Sequence, residues 1–205
     1  MTTKERPIIF DGESVRAILA GTKTQTRRVV KHPTINRVTR VHSYKGQTEF
    51  DLIMGDESGT VIACPHGKPD DHLWVRESCQ AEELEDGLDG VRYLADNTFR
   101  EIGNSEEAAH DFLNMYYYGL QESAPVPPIH TPRWASRIML QVMDIRVERV
   151  QAITAGDAKA EGIDAMKFPH EWLPAYAERW DSINAKRGYS WMMNPWVWVV
   201  EFKVI

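Results

Sequence analysis

Gly21-Thr-Lys-Thr-Gln-Thr-Arg-Arg28 packs three threonines, one lysine and two arginines directly behind a short helical stretch, Glu13 to Leu19. Gly12 precedes that helix and Gly21 follows it, a suitable stop. From Thr24 to Val30 the run is β-branched and alternating, which predicts a strand. Working outward, Arg6-Pro-Ile-Ile-Phe10 reads as a short strand on the upstream side. Downstream, Glu49 to Met54 and Thr60 to Ala63 flank Gly55-Asp-Glu-Ser-Gly59 and predict a hairpin with a long loop. Asp71 to Glu77 and Val91 to Ala95 supply further strands. Arg137 to Val150 alternates apolar with polar over a long span, with one slip in parity that predicts a bend or bulge. Ile153-Thr-Ala-Gly-Asp157 opens a short helix, with Thr154 as N-cap and Asp157 completing a capping-box variant, and Gly162 ends it. His170 to Lys186 has helical spacing of Trp172, Leu173, Tyr176 and Trp180, and Trp196 to Ile205 finishes the chain as a strand. Many short strands with a few interspersed helices predict an α+β fold, a small β-barrel with peripheral helices, in preference to a doubly wound sheet.

The 205 residues suit a single domain, 1–205, and the stretch from about 97 to 130 stands out as an inserted helical and irregular segment. That stretch is acidic, then aromatic at Tyr116-Tyr-Tyr118, then rich in proline. Met1 to Pro7 is polar with no apolar run behind it, so no secretory leader is expected. Trp196 to Val200, the longest apolar stretch near the end, is far too short to span a membrane. Two cysteines, Cys64 and Cys79, exclude a disulfide scaffold and point to a reducing, cytoplasmic setting. The net charge of -6 argues on its face against nucleic acid, but it is unevenly spread. Residues 1–50 carry +6, residues 51–130 carry -13 and residues 131–205 carry +1, so the acid is confined to the middle.

The motif at Gly21 to Arg28 offers cations and amides for phosphate, and a hydroxyl beside an amine able to activate it. Its plainer reading is a polar edge strand. Cys64-Pro-His66, His72 and Cys79 match no paired metal-ligand spacing, so no metal site and no cofactor are expected. The seven tryptophans are mostly core material, yet Trp74 beside Arg76 and Trp134 beside Arg133 have the makings of a base-stacking platform. Glu161 falls in the last turn of its helix, where the dipole disfavours a carboxylate; if partly buried it would hold a proton and serve as a donor.

Gly21-x-Lys23-x-x-x-x-Arg28 after a short helix resembles the signature of the ASCH domain, a PUA-like β-barrel associated with RNA. Arg6-Pro-Ile-Ile-Phe10, Leu73-Trp-Val-Arg-Glu77, Pro132-Arg-Trp-Ala-Ser136 and Asn194-Pro-Trp-Val-Trp198 are similar to a phage and prophage branch of that family, often labelled morphogenetic. The resemblance covers both ends of the chain and leaves about 97–128 unmatched. The same superfamily includes a small bacterial amidohydrolase that removes the acetyl group of N(4)-acetylcytidine. The resemblance implies that its catalytic set falls here on Lys23 as base, Thr26 as nucleophile and Glu161 as proton donor; Arg27, Arg28, Trp74 and Arg76, by their own chemistry, are the candidates for contacting a nucleoside or RNA. It implies no metal. In a strict strand Lys23 and Thr26 would point to opposite faces, so the motif must start in a turn or carry a bulge. Two function classes follow: an amide hydrolase acting on a modified nucleoside, and an RNA-binding module or ribonuclease, with a phage assembly scaffold behind them. The acidic whole favours a nucleoside over long RNA.

Overall fold

The structure, a computed structural model, describes residues 3–42, 49–84, 87–103, 105–163 and 171–205. Among these, the strands in chain order are β1 (Glu5–Ile9), β2 (Gln25–Val29), β3 (Val38–His42), β4 (Glu49–Met54), β5 (Gly59–Ala63), β6 (His72–Arg76), β7 (Cys79–Glu83), β8 (Asp89–Tyr93), β9 (Phe99–Glu101), β10 (Pro125–Val126), β11 (Met139–Arg149) and β12 (Trp196–Val204). The α-helices are α1 (Gly12–Leu19), α2 (Glu106–Tyr116), α3 (Ala155–Ala160) and α4 (Trp172–Asn184). The chain is therefore α+β, and the strand pairings among the described residues form open sheets. No helix among them is long and apolar enough to cross a membrane.

The chain divides into two compact units. The first holds residues 21–71 and 141–203 with the first four residues. Here β2 pairs antiparallel with β12, Thr26 opposite Val200 and Arg27 opposite Val199. A separate meander runs β3, β4, β5, with Phe50 opposite Ile62 across the predicted hairpin. Phe50 also sets its ring edge-on to Trp198 at 5.1 Å. The second apolar layer of this unit joins Val150, Ile153, Ala158, Tyr176, Trp180, Val197 and Val199. Odd-numbered residues of β12 thus face α3 and α4, as the two-residue period of a strand requires.

The second unit holds residues 5–20 and 72–140 with the last two residues. There β1 lies parallel to β6, and β10, β7, β8 and β9 form an antiparallel run. Its core gathers Cys79, Val91, Tyr93, Phe112, Met115 and Val126. The Tyr93 hydroxyl donates to Ala135 O at 2.8 Å, and the buried Glu77 takes two hydrogen bonds from Arg137. Among the described residues, the expected insertion at about 97–130 lies in this unit as β9, α2, β10 and short turns.

Several boundaries differ from the sequence reading for physical reasons. Helix α1 starts at Gly12 because Asp11 caps it, its side chain accepting from the Ser14 amide. Strands β3, β7 and β9 escaped notice because each is short and half polar. The long strand near the chain's last third does switch phase. Leu140 and Val142 are buried, Met143 is exposed, and burial resumes at Ile145 and Val147. Helix α4 begins at Trp172; His170, where the sequence starts it, lies outside the described residues.

Gly90 in β8 shows how tightly the second unit is closed. A Cβ there would lie 2.3 Å from Arg100 O and 2.5 Å from the Phe99 ring. Since backbone cannot yield as a flexible side chain can, Gly90→Ala is expected to destabilise by about 1–3 kcal/mol. Thermal denaturation should then show the melting point falling by about 2–4 °C per kcal/mol at this chain length.

Candidate functional site

Side chains alternate across β2, so Gln25, Arg27 and Val29 share one face while Thr26 and Arg28 share the other. The pairing of Arg27 with Val199 places the first face toward α3 and α4. Lys23 stands ahead of the strand, beyond a turn in which Gly21 takes φ +70°. It forms an isolated antiparallel bridge with Glu161, so strand alternation does not fix its side chain. Lys23 and Arg27 both reach Glu161, whereas Thr26 lies on the opposite face of β2 from Arg27.

Helix α3 presents Glu161 through two well-defined ends. At its start Thr154 and Asp157 complete a capping box: the Asp157 amide donates to Thr154 Oγ1 at 3.1 Å and the Thr154 amide to Asp157 Oδ2 at 3.0 Å. At its end Glu161 is the C-cap and Gly162 adopts φ +90°. Gly162 N donates to Lys159 O and Ile163 N to Ala158 O, the paired bonds of a Schellman closure. Six residues span only about 9 Å, so both ends act on the same small region.

Lys23 meets this helix end twice. Its Nζ donates to Glu161 Oε2 at 2.7 Å and to Glu161 O at 2.9 Å. Arg27 Nη1 reaches the other carboxylate oxygen at 3.3 Å. The lysine and glutamate side chains are only 5% and 7% exposed, so their charges interact with little solvent screening. Burial pulls the Lys23 amine below its ordinary pKa; the charge and hydrogen bond of Glu161 oppose this, and Arg28 and Arg179 add to it. Desolvation disfavours the charged amine, and the net direction is down.

Around that pair lies a wider ionic network. Arg27, with a fully buried side chain, also contacts Glu148 Oε1 at 2.5 Å and Asp157 Oδ2 at 3.4 Å. Arg146 binds Asp157 Oδ1 at 2.8 Å, Glu148 Oε2 at 3.4 Å, Glu201, and Gln25 Oε1 at 3.2 Å. Burial would lower the Arg27 pKa, but Tyr176, Glu161 and Glu148 raise it, so the guanidinium is firmly charged. Tyr176, whose ring centre lies 6.0 Å from that guanidinium, is itself pushed well above the usual phenol range by burial and by Glu161. Gln25 Nε2 and Arg27 Nε have no hydrogen-bond partner among the described residues.

The structure thus brings Lys23, Arg27 and Glu161 together in the first unit. Thr26 is buried on β2 opposite Val200, and its hydroxyl makes no hydrogen bond among the described residues. Arg28, opposite Trp198, acts on Lys23 through its charge. Trp74 and Arg76 belong to the second unit, where the Trp74 ring lies 4.7 Å from the Arg76 guanidinium and 5.8 Å from that of Arg133. Arg76 Nη1 also donates to Ile129 O at 3.0 Å. Cys64 and Cys79 are both buried, and burial pushes the Cys79 thiol up to about 11. Sequence reasoning missed Arg146, Glu148, Tyr176 and Gln25. The signal for the first two was present: they are the polar positions of a strand whose phase had already been seen to slip.

No family model matches this chain, and no curated protein matches it. Among solved structures, the chain resembles protein EF3133 from Enterococcus faecalis V583, described as of family DUF984. The superposition covers 100% of this chain and 82% of that one, at 10% identity and a TM-score of 0.41. A likeness of that degree carries no argument about fold or function.

Asp157 makes the network testable by pH. Burial would raise its pKa, but the Thr154 hydrogen bonds and the charges of Arg27 and Arg146 prevail and hold it below the ordinary carboxylate value. A carboxylate with a depressed folded pKa stabilises fully above its unfolded value near ~3.9 and loses that stabilisation as pH falls through the folded one. Asp157→Asn should cost about 1–2 kcal/mol at neutral pH, a magnitude typical of a lost cap. In urea titrations the gap between wild type and variant should shrink steadily below pH ~4.

Proposed function

We propose that this chain is an ASCH-type, PUA-like amidohydrolase that removes the acyl group from N(4)-acetylcytidine or a related modified nucleoside. The observation that carries the reading is the buried contact of Lys23 Nζ with Glu161 Oε2 at 2.7 Å, with the lysine pKa depressed. Buried charge pairs contribute little net stability, and a desolvated lysine beside a carboxylate is a common arrangement for proton transfer.

Lys23 in its neutral form takes the proton of the Thr26 hydroxyl as Oγ1 attacks the acyl carbon. The short Nζ to Oε2 separation lets Glu161 hold the proton that Lys23 has given up. When the tetrahedral intermediate collapses, the carbon–nitrogen bond breaks and Glu161 returns that proton to the departing exocyclic nitrogen. Water then attacks the threonyl ester, its proton passing to Lys23; the carbon–Oγ1 bond breaks, Lys23 returns that proton to Thr26 Oγ1, and acetic acid leaves. The sum is one amide and one water converted to one amine and one carboxylic acid. Arg27 keeps the Glu161 carboxylate facing Lys23.

The other reading is an RNA-binding module or ribonuclease that uses Lys23, Arg27 and Arg28 of the first unit and Trp74 and Arg76 of the second, with a phage assembly protein as a third option. In the second unit the Trp74 ring is 9% exposed and already engaged by two arginines, which favours the nucleoside-scale reading. RNA binding of this kind would weaken steeply with added salt as counterions are released.

Incubation of the full chain with free N(4)-acetylcytidine, followed by chromatography of nucleoside and acetate, is expected to show deacetylation. Lys23→Arg keeps a cation that cannot surrender its proton, and should lower kcat at least about 100-fold while the chain stays folded. Thr26→Ala should be inactive and Thr26→Ser partly active. For wild type, kcat/KM should rise with pH until the depressed Lys23 value is passed, because only the neutral amine is the base. Equal turnover by wild type and Lys23→Arg would sink the proposal.

A further inference from the structure

Arg27 stands among three carboxylates carried on two elements. Glu148 of β11 contacts its Nη2 at 2.5 Å, Asp157 of α3 approaches the same Nη2 at 3.4 Å, and Glu161 at the end of α3 meets Nη1 at 3.3 Å. Tyr176 of α4 packs nearby, its ring centre 6.0 Å from the guanidinium. The fork of a guanidinium is built to take both oxygens of one carboxylate side by side. Glu161 is not held that way: its Oε1 faces Arg27 Nη1 while its Oε2 faces Lys23 Nζ at 2.7 Å. Some other group must therefore hold Nη2 away from Glu161.

Asp157 is poorly placed to do so. Its Oδ2 already takes the Thr154 amide at 3.0 Å and the Thr154 hydroxyl at 2.7 Å, and its Oδ1 takes Arg146 Nη2 at 2.8 Å. Glu148 has the closer contact, and its Oε2 is braced by Arg146 Nε at 3.4 Å. It also lies on a strand, so it holds Arg27 from an element other than the helix that carries Glu161. We propose that Glu148 is a positioning residue for the Lys23 and Glu161 pair: by retaining Arg27 Nη2 it denies the guanidinium a two-point grip on Glu161 and leaves Oε2 to Lys23. The inference rests on the reading of that pair as base and proton donor. Without the Glu148 charge, Arg27 turns both Nη groups to Glu161 and Lys23 loses part of its partner. The charge and hydrogen bond of Glu161 are what raise the Lys23 pKa, against burial, Arg28 of β2 and Arg179 of α4. Weakening them moves the titration of Lys23 further down.

The test compares wild type with Glu148→Gln, which keeps the size of the side chain and removes its charge. In deacetylation of N(4)-acetylcytidine, Glu148→Gln is expected to lower kcat at least about tenfold and to leave KM within about twofold. The midpoint of its kcat/KM profile should fall by about half a pH unit or more, a displacement that a merely structural role would not produce. Glu148→Asp keeps the charge and should restore the wild-type midpoint. Arg27→Lys combined with Glu148→Gln should lose no more kcat than Arg27→Lys by itself, because one residue acts through the other. A second measurement needs no substrate: 13C NMR of the full chain labelled in lysine, with the Lys23 signal assigned by its absence from Lys23→Arg. The Lys23 midpoint should fall in Glu148→Gln as in the kinetic profile. Glu201→Gln takes an equal charge from Arg146 at a half-exposed position with no contact to Arg27 among the described residues, and should move Lys23 less than half as far. An unmoved Lys23 midpoint in Glu148→Gln, an equal displacement in Glu201→Gln, or additive losses of kcat would overturn the proposal. A displaced Lys23 titration in a chain that turns over no N(4)-acetylcytidine would uphold the positioning and overturn the deacetylase reading instead.

Discussion

A single lysine closes the end of a helix that is less than two turns long. A helix leaves its last carbonyls without intrahelical partners, and here Thr24 N takes Ala160 O while Lys23 Nζ takes Glu161 O. A cation at a helix C-terminus also complements the dipole. The same Nζ binds the Glu161 side chain, so backbone closure and side-chain pairing rest on one group. Thr24 in turn accepts from Phe202 N, which ties the helix end to β12. The first unit therefore positions its candidate chemistry with the same bonds that complete its secondary structure.

The polar groups behind that bond form a connected set. Lys23, Arg27 and Arg146 face Glu148, Asp157, Glu161 and Glu201, and Asp157 both caps α3 and accepts from Arg146. Asp157 and Glu161 stand four residues apart, on one side of the helix, and both contact Arg27. The guanidinium therefore spans one helical turn. A buried arginine with no exposed side-chain surface needs such multiple partners, because each unsatisfied donor in a dry setting is unfavourable. The buried Glu77 and Arg137 pair of the second unit follows the same logic within its own core.

How much of this was legible in the sequence depended on how local the physics was. The α3 capping box, the Gly162 stop, the β4 and β5 hairpin and the phase slip near Met143 are set by residues a few positions apart, and each was read correctly. The helix stop at Gly21 was read from the glycine itself, again a local matter. What escaped was long-range pairing. Nothing in the neighbourhood of Arg146 announces Gln25 or Asp157, and nothing around Tyr176 announces Arg27, because those contacts join segments more than ten residues apart. Lys23 and Glu161 were linked in advance only through family resemblance; the bond between them spans 138 positions and no periodicity could reveal it. Strands β3, β7 and β9 were lost for the opposite reason, being too short and too polar to carry a pattern.

The change of phase in β11 has a reach beyond its own strand. Before Met143 the even positions are buried; after Asp144 the odd ones are. Had the strand kept its first phase, Arg146 and Glu148 would have entered the apolar layer and Ile145 and Val147 would have faced the arginines. The switch thus leaves Arg146 and Glu148 to the ionic network and Ile145 and Val147 to the core. One strand thereby supplies core side chains along its whole length and still places Arg146 against Asp157 and Glu201.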